Sequence, residues 1–402
     1  MNVIKPTRVR RSRAFVTVFL KEVRENLRDR RTLISAFVTG PLLTPLIFVM
    51  LISVSIHRQL DKAEQPLKVP VIGAQYAPNL IDALKAGGIV PLPAIAYPEK
   101  AVREQEADLV LRLSAEYPKA WRQGEPVQVE MIYDSSQRDA GGSVDRVNQL
   151  VQSYARQQGV MRLVARGLSP GTAWPVQVAR RDQATAESRA VLLFNMLPYL
   201  FVLTIFIGGM YLAIDLTAGA RQRQSLEPLF ANPVPRWKIL LGKLAAICAF
   251  STASLLICLL AFSLVGRFLP TDKLGMEINL GWHFAANVLL LQWPMIVLLA
   301  ALQSLVAAFA KSYREAQTYL SLLMMLPILP SILLMVMPVK PQDWMYAVPL
   351  LGQHLGIIDL LRGTGVAPMH MLLCLAGTAA AALVAVAIGM QLYRSERLAI
   401  SG

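Results

Sequence analysis

Six long apolar stretches interrupt the chain, and each is nearly free of charged side chains. A helix needs about 20 such residues to cross a hydrocarbon core roughly 30 Å thick. Lipid offers the backbone no hydrogen-bond partner, so a crossing segment must be helical. The pattern therefore predicts six transmembrane helices, at residues 32–56, 191–214, 239–265, 284–310, 316–337 and 369–392.

The segment between the first two stretches, residues 57–190, has a different pattern. Short apolar runs predict strands in KVPVIGA, GIVPLPA, DLVLRLS and PVQVEMIYD. Helical patterns lie between them, and a longer one covers about 143–166. Strands that alternate with helices are typical of an α/β domain, here with a mixed sheet. The predicted fold is an α-helical polytopic membrane protein with an α/β extracytoplasmic domain between its first and second transmembrane helices.

An amphipathic pattern precedes the first apolar stretch, at residues 14–28. Apolar side chains recur there every four residues, and charged ones occupy the other face; the apolar residues are Phe15, Phe19, Val23 and Leu27. This spacing predicts a helix that lies in the cytoplasmic interface of the membrane. A plain extension of the first transmembrane helix is the alternative.

A second short apolar segment, residues 350–361, is too short to cross a bilayer and is broken by Gly352 and Gly356. It predicts a hairpin over 344–363 that dips into the membrane from outside and is shielded by protein. A surface loop is the alternative.

Basic residues gather beside the apolar stretches, and this determines the predicted orientation. Ten of the 40 Lys and Arg lie in residues 1–31, whereas residues 57–189 hold 17 basic and 15 acidic residues. Of the net charge of +14, +12 therefore lies outside that segment. By the positive-inside rule, both termini are cytoplasmic in a bacterial inner membrane. The predicted segments are a basic tail with the interfacial helix (1–31), the first transmembrane helix (32–56), the extracytoplasmic domain (57–190), five transmembrane helices (191–392) and a cytoplasmic tail (393–402).

Composition and motifs argue against several classes of function. Basic charge confined to membrane flanks argues against nucleic-acid binding. The four histidines are far apart and none lies in H-E-x-x-H, and the three cysteines lie inside apolar stretches. Gly242–Lys243 lacks the first glycine and the Ser or Thr of a phosphate-binding loop. We expect no catalytic residue, no metal site and no cofactor on this chain, so any ATP and Mg would bind a partner subunit.

The predicted inner loop between the second and third stretches, residues 215–238, combines a basic turn, a short helical pattern (SLEPLF) and an Asn-Pro-Val-Pro-Arg run. A compact helix in a tight loop can pass the movement of a soluble partner to both helices that it joins. A loop that only fixes topology is the alternative. Asp215 begins this segment, and we expect it to pair with Arg221 or Lys243.

The same loop resembles a known family. The run MYLAIDLTAGARQRQSLEPLFANPVPRWKILLGKL (210–244) is similar to the signature of ABC transporter type-2 permeases, and particularly of the NatB-like branch of sodium-extrusion permeases. Four more patches agree: KEVRENLRDRRTL (21–33), RLVARGLSP (162–170), KSYREAQTYLS (311–321) and GQHLGIIDLLRG (352–363). Where the family commonly has acidic residues, this chain has Ala220 and Gln222.

The resemblance implies the permease subunit of an ATP-driven ABC exporter that extrudes Na⁺. It also implies two copies of an ABC ATP-binding subunit and a second permease copy, either identical or a paralogue. The inner loop would act as a coupling loop, and it and the interfacial helix would contact the ATP-binding subunit. The loop residues expected at that contact are Arg221, Arg223, Ser225, Leu226, Glu227, Pro228, Leu229 and Arg236.

Polar residues within apolar stretches are candidates for a translocation path, because their exposure to lipid is costly. These are Asn195, Pro198 and Tyr199 in the second stretch and Gln303 in the fourth. The stretches hold no buried acidic pair of the kind that suits a hard cation, so export of an antibiotic, lipid or other amphiphile is the alternative. A membrane sensor with a periplasmic ligand-binding domain is the alternative of a different class, but the longest inner segment, about 30 residues, is short for an output domain.

Overall fold

The computed structural model describes residues 14–137, 140–172, 181, 183–224, 234–269, 271, 275–336 and 340–394. The chain divides into two compact units. We call Met1–Ile56 with Gln183–Gly402 the membrane unit, and His57–Asp182 the α/β unit.

Within the described residues of the membrane unit, six helices are long and apolar enough to cross a membrane, as predicted. The first to sixth spans are Thr32–Arg58, Leu197–Gln222, Arg236–Phe268, Trp282–Phe309, Tyr313–Leu334 and Pro368–Leu392. The first span consists of Arg30–Ile34, Ser35–Leu43 (a π-helix) and Thr44–Glu64, and the second of Leu197–Ile214, Asp215–Gly219 (a π-helix) and Ala220–Gln222. The third consists of Arg236–Val265 and Gly266–Phe268, and the fifth of Tyr313–Leu323, Leu326–Ile328 and Leu329–Val336. The fourth and sixth are the single helices Trp282–Phe309 and Pro368–Arg394.

The second span lies further along the chain than the sequence predicts. A separate helix, Ala186–Phe194, ends at Asn195, and the span then begins at Leu197 with Pro198 in its first turn. Proline is tolerated there because the first N–H groups of a helix have no partner within it. At the inner end the helix continues to Gln222, eight residues beyond the predicted end at 214. Residues 215–222 are therefore helical, so the helix of the second span continues into the segment predicted as the inner loop.

Two shorter helical features flank the spans. Ala14–Asn26 forms a helix that a turn at Leu27 and Arg28 separates from the first span, so it is not an extension of that span. The segment predicted as an outer hairpin contains the helices Asp343–Tyr346 and Leu351–Leu361. The second of these is mostly buried, unlike a surface loop.

Close backbone packing fixes the hairpin segment to the sixth span. A Cβ built on Gly377 of that span would lie 2.0 Å from the carbonyl oxygen of Ala347. Any larger residue at this position would push the two backbones apart.

The α/β unit contains the predicted strands and helices in the predicted order. Its strands are β1 (Leu67–Ile72), β2 (Ile89–Leu92), β3 (Leu109–Leu113) and β4 (Val129–Tyr133). Its main helices are α1 (Pro78–Ala86), α2 (Pro98–Arg103), α3 (Tyr117–Gln123) and α4 (Ala140–Ala165). The sheet order is β2-β1-β3-β4; β1 pairs in parallel with β2 and β3, and β4 is antiparallel to β3, so the sheet is mixed as predicted.

The core of the α/β unit explains why this segment folds around its sheet. Side chains of β1 and β3, such as Val69 and Leu111, are fully buried against Leu80 and Leu84 of α1 and Val147 of α4. Apolar burial of this kind is the main favourable term in folding. The location of this unit outside the cytoplasm stays a prediction.

Candidate functional site

The second and third spans pack closely in the middle of the bundle, at Gly208 and Gly209. A Cβ on Gly208 would lie 2.3 Å from Ser254 Oγ, and one on Gly209 would lie 2.6 Å from Ser251 Oγ. Small residues are enriched where membrane helices approach each other, because they bring the backbones within van der Waals contact. The glycine pair therefore fixes the distance between the two helices that the inner loop joins.

Both serines also bind backbone carbonyls of neighbouring helices. Ser251 Oγ donates to the oxygen of Ile205 in the second span at 3.0 Å. Ser254 Oγ donates to the oxygen of Ala36 in the first span at 2.7 Å. Ala36 lies in the π-helical segment Ser35–Leu43. The third span is thus hydrogen-bonded to both the first and the second span.

A second attachment joins the same two spans near their inner ends. Lys243 of the third span is 4% exposed, and its Nζ donates to the oxygen of Leu216 at 2.7 Å. The acidic groups that attract this ammonium are Glu22 of the interfacial helix and Asp215. A buried ammonium needs such partners, because burial removes its hydration. The sequence offered Lys243 as a partner of Asp215, but it gave no sign of the bond to the carbonyl of Leu216 or of the nearby Glu22.

The interfacial helix packs directly on the third span at the same level. A Cβ on Gly242 would lie 2.9 Å from Val18 Cβ, so the two helices touch there. The buried face carries polar as well as apolar groups: Ala14, Glu22 and Asn26 are all buried. The helix thus contacts the third span at Gly242, the residue before Lys243. Its Glu22 contributes a negative charge near the Lys243 ammonium.

The predicted apolar stripe of this helix is only partly covered. Phe15 and Leu27 are exposed, whereas Phe19 and Val23 are half-buried. Exposed apolar side chains on a helix of this kind fit an interfacial position, where lipid covers them. One side of this short helix thus packs on the third span, and its exposed apolar side chains are free for the predicted contact with lipid.

The arginines predicted to contact a partner have contacts within the chain. Arg221 Nη1 lies 3.4 Å from the oxygen of Ala308 and 3.5 Å from that of Ala310, at the end of the fourth span. Arg223 forms a two-pronged ion pair with Asp215, with Nη1 to Oδ1 at 2.7 Å and Nη2 to Oδ2 at 3.2 Å. Asp215 thus pairs with Arg223, whereas the sequence suggested Arg221 or Lys243.

The Asp215–Arg223 pair lies where the helix of the second span continues past its predicted end. The carboxylate of Asp215 hydrogen-bonds the guanidinium of Arg223 and holds the pKa of that arginine above its usual value. Arg223 Nη2 also donates to the backbone oxygen of Asp215 at 3.3 Å. The negative charge of Asp215 is thereby neutralised by the turn that follows its own helix.

The remaining loop residues are only partly covered by the structure. Arg236 is half-buried at the first position of the third span. The predicted contact residues Ser225, Leu226, Glu227, Pro228 and Leu229 lie outside the described residues.

Three of the four predicted path residues lie together at the start of the second span, and Gln303 contacts that span further along. Asn195 is exposed between two helices, Pro198 is buried, and Tyr199 is half-buried in the first turns of the second span. Gln303 is 1% exposed, and its Nε2 donates to the oxygen of Phe206 at 2.7 Å. Phe206 follows Tyr199 by seven residues, about two helical turns.

Sequence reasoning missed several residues of this region: Gly208, Gly209, Ser251, Ser254, Glu22 and Gln292. The four small residues could have been found from their pattern, because two adjacent glycines face a Ser-x-x-Ser pair and small residues mark helix contacts in membranes. The sequence gave no sign that Glu22 is buried, because it stands among charged residues, Lys21, Arg24 and Glu25, that are all exposed. Gln292 is a fully buried polar residue, and it lies eleven positions before Gln303 on the same helix.

Within the described residues, no three His, Cys, Asp or Glu side chains come together as a possible metal site. The expectation that this chain carries no metal or cofactor stays a prediction.

Comparisons with known proteins identify the family. The chain is 27% identical to the ABC transporter permease protein NatB of Bacillus subtilis (strain 168) over 353 residues, which cover 86% of this chain and 89% of that relative. No solved structure matches the chain. A family model described as ABC-2 family transporter protein matches residues 30–388. The chain therefore belongs to the ABC-2 transporter family and is a multi-pass membrane permease subunit. Membership of this family implies an ABC ATP-binding partner.

Proposed function

We propose that this chain forms the membrane passage of an ATP-driven exporter and that a separate ATP-binding subunit hydrolyses the nucleotide. Two permease copies, identical or paralogous, and two ATP-binding subunits would make the complex. ATP and Mg would bind the partner subunits, and both permease termini would be cytoplasmic.

One observation carries this proposal: the two spans joined by the inner loop are attached to each other at two levels. Lys243 binds the carbonyl of Leu216 near the inner end, and Ser251 binds that of Ile205 in the middle of the bundle. A push on the loop would therefore move both spans together and reach the membrane core. The interfacial helix, packed at Gly242, would move with them.

We propose Na⁺ as the exported solute, on the resemblance of the inner loop to the sodium-extrusion branch. Expelling one monovalent cation against 100 mV costs about 2.3 kcal/mol, so ATP hydrolysis would drive this step easily. An amphiphile such as an antibiotic or lipid is the second candidate. The observation that favours it is that, among the buried polar residues of the described spans, Lys243 alone is charged, whereas the others, such as Thr204, Gln292 and Gln303, are neutral.

The test is co-purification of the chain with an ATP-binding subunit, followed by flux measurements in vesicles. The complex is expected to move ²²Na⁺ or an amphiphilic dye only when ATP is supplied. ATP hydrolysis by the purified chain alone, or activity without a companion subunit, would contradict the proposal. Flux of the dye without flux of ²²Na⁺ would select the second candidate.

Glu227→Ala tests the proposed coupling contact. The variant is expected to insert normally in the membrane but to lose solute-stimulated ATP hydrolysis. Glu277→Ala is a matched control, because Glu277 is exposed in the segment between the third and fourth spans, on the predicted outer side. Equal stimulation in both variants would exclude a coupling role for Glu227.

A further inference from the structure

Three buried side-chain atoms have no hydrogen-bond partner within the part of the chain that the structure describes. They are Nε2 and Oε1 of Gln292 and Oε1 of Gln303. Both side chains belong to the fourth span, and they are 0% and 1% exposed. A buried polar atom without a partner is costly, because it has lost its hydrogen bonds to water. Such atoms indicate a place where another partner supplies the missing hydrogen bonds.

A third buried glutamine shows that this fold can satisfy the amide group. Gln353 is also 0% exposed. Its Oε1 accepts a hydrogen bond from the backbone nitrogen of Leu350 at 2.8 Å, and its Nε2 donates to Thr378 Oγ1 at 2.7 Å. Gln353 therefore has an evident structural role in the hairpin segment, whereas Gln292 has none.

Gln292 and Gln303 lie on the same face of their helix. Eleven residues make three helical turns, so the two side chains point in nearly the same direction, about 16 Å apart along the axis. Opposite Gln303 is Gly209, where an added Cβ would lie 2.9 Å from Gln303 Oε1. All three unpaired atoms thus belong to one stripe, which faces the second span at Gln303.

The fourth span has a built-in point of bending beside this stripe. Pro294 lies inside the helix, two residues after Gln292. An internal proline removes one backbone hydrogen bond and is where helices bend most readily. Bending at Pro294 would change the packing around Gln292 without unfolding the span.

We propose that Gln292 and Gln303 are hydrogen-bonding contacts for the polar part of the transported solute, reached when the fourth span moves away from its neighbours. This inference rests on the proposed function. The free atoms are one donor and two acceptors, all neutral. At Gln292, one donor and one acceptor match a group that both donates and accepts hydrogen bonds, such as a hydroxyl or an amide, or the water shell of a monovalent cation. Gln303 Oε1, about 16 Å further along the helix, would be a separate, successive contact on the same stripe.

The experiment compares Gln292→Met with Gln353→Met in the purified permease. Methionine has nearly the length of glutamine and needs no hydrogen bonds. Gln292→Met is expected to raise Tm by roughly 2–4 °C, because an unpaired amide is removed. Gln353→Met is expected to lower Tm, because it leaves Leu350 and Thr378 without partners. A Tm for Gln292→Met that falls as much as that of Gln353→Met would overturn the proposal.

Solute binding is then measured as the rise in Tm on adding Na⁺ or ethidium, and transport as KM in vesicles with the ATP-binding subunit. The solute that stabilises the wild type is expected to stabilise Gln292→Met less, and KM is expected to rise about fivefold to tenfold. The solute whose KM changes in Gln292→Met is then the ligand of this side chain, and a solute whose KM is the same in wild type and variant does not contact it.

Failure of the inference differs from failure of the proposed function. Unchanged binding and KM in Gln292→Met, with ATP-driven flux intact, would overturn the contact role and leave the exporter. Absence of ATP-driven flux in the wild-type complex would contradict the exporter itself, and the inference with it.

Discussion

Gly208 and Gly209 show how single residues set the packing of this bundle. They bring the second span against Ser251 and Ser254 of the third, and both serines then reach backbone carbonyls. The close contact depends on the absence of a side chain at the two glycines, and the hydrogen bonds depend on the hydroxyl groups of the two serines. Substitutions there should therefore have effects out of proportion to their size.

Gly208→Ala is expected to destabilise the protein by about 1–3 kcal/mol, the usual range for overpacking. The added Cβ would lie 2.3 Å from Ser254 Oγ and displace the hydroxyl that binds Ala36. Gly389→Ala is the control in the sixth span, where the nearest side-chain atom is 3.6 Å away. Thermal unfolding in detergent measures both. Equal loss in the two variants would contradict the close contact at Gly208.

A double-mutant cycle tests the charge at the inner end. Lys243→Met is expected to cost about 1–3 kcal/mol, because it leaves the carbonyl of Leu216 without its donor and removes a positive charge near the buried Glu22. In the double variant with Glu22→Gln, the total cost is expected to be smaller than the sum of the single costs. The difference, of order 0.5–3 kcal/mol, is the coupling between the two residues. Strict additivity would show that they act independently.

At the scale of whole elements, the sequence predicts the structure well where one pattern dominates. The strands of the α/β unit follow from short apolar runs bounded by Gly and Pro, and the spans follow from apolar length. The errors lie where a long-range contact decides the outcome. The second span, for example, continues past Asp215, whose carboxylate pairs with Arg223 eight residues later, and the local sequence pattern does not reveal that pairing.

The candidate site was less predictable than the fold. The sequence identified Gln303 as a polar residue in an apolar stretch, but it gave no reason to distinguish Gln292 from the paired Gln353. Whether a buried amide finds a partner depends on the register of helices that are distant in sequence. Likewise, the polar face of the interfacial helix points partly into the protein, and its apolar pattern alone suggested only lipid.

The orientation of the interfacial helix is testable with spin labels. A label at Leu20, which is exposed in the structure, is expected to be more accessible to oxygen, which dissolves in lipid, than to a water-soluble nickel complex. A label at Arg24, also exposed but on the charged face, is expected to show the reverse preference. Equal accessibility at both positions would exclude an interfacial position.

At the scale of the whole molecule, the family fixes the multi-pass architecture, and the direction in which the chain crosses the membrane is a prediction from charge. With basic clusters inside, the α/β unit would lie in the periplasm. Its own charge is nearly balanced, as in a segment that is translocated without the help or hindrance of positive residues.

Reporter fusions at residue 120 test that orientation. Alkaline phosphatase fused there is expected to be active, because it folds only in the oxidising periplasm. A fluorescent protein that requires the cytoplasm is expected to be dark at residue 120 and bright at the C-terminus. The opposite result would reverse the topology and remove the inner loop from the reach of an ATP-binding subunit.

The two attachments between the second and third spans have a mechanical consequence. Leu216 and Ile205 are eleven residues apart, so the fixed points are separated by about 16 Å along the helix. Two helices that are attached at two levels cannot slide past each other or change their crossing angle. A displacement of one end of the pair therefore moves both helices as one body. The bundle must then deform in another helix. The fourth span is the one with Pro294 in its interior, so we expect a push on the inner loop to bend the fourth span there.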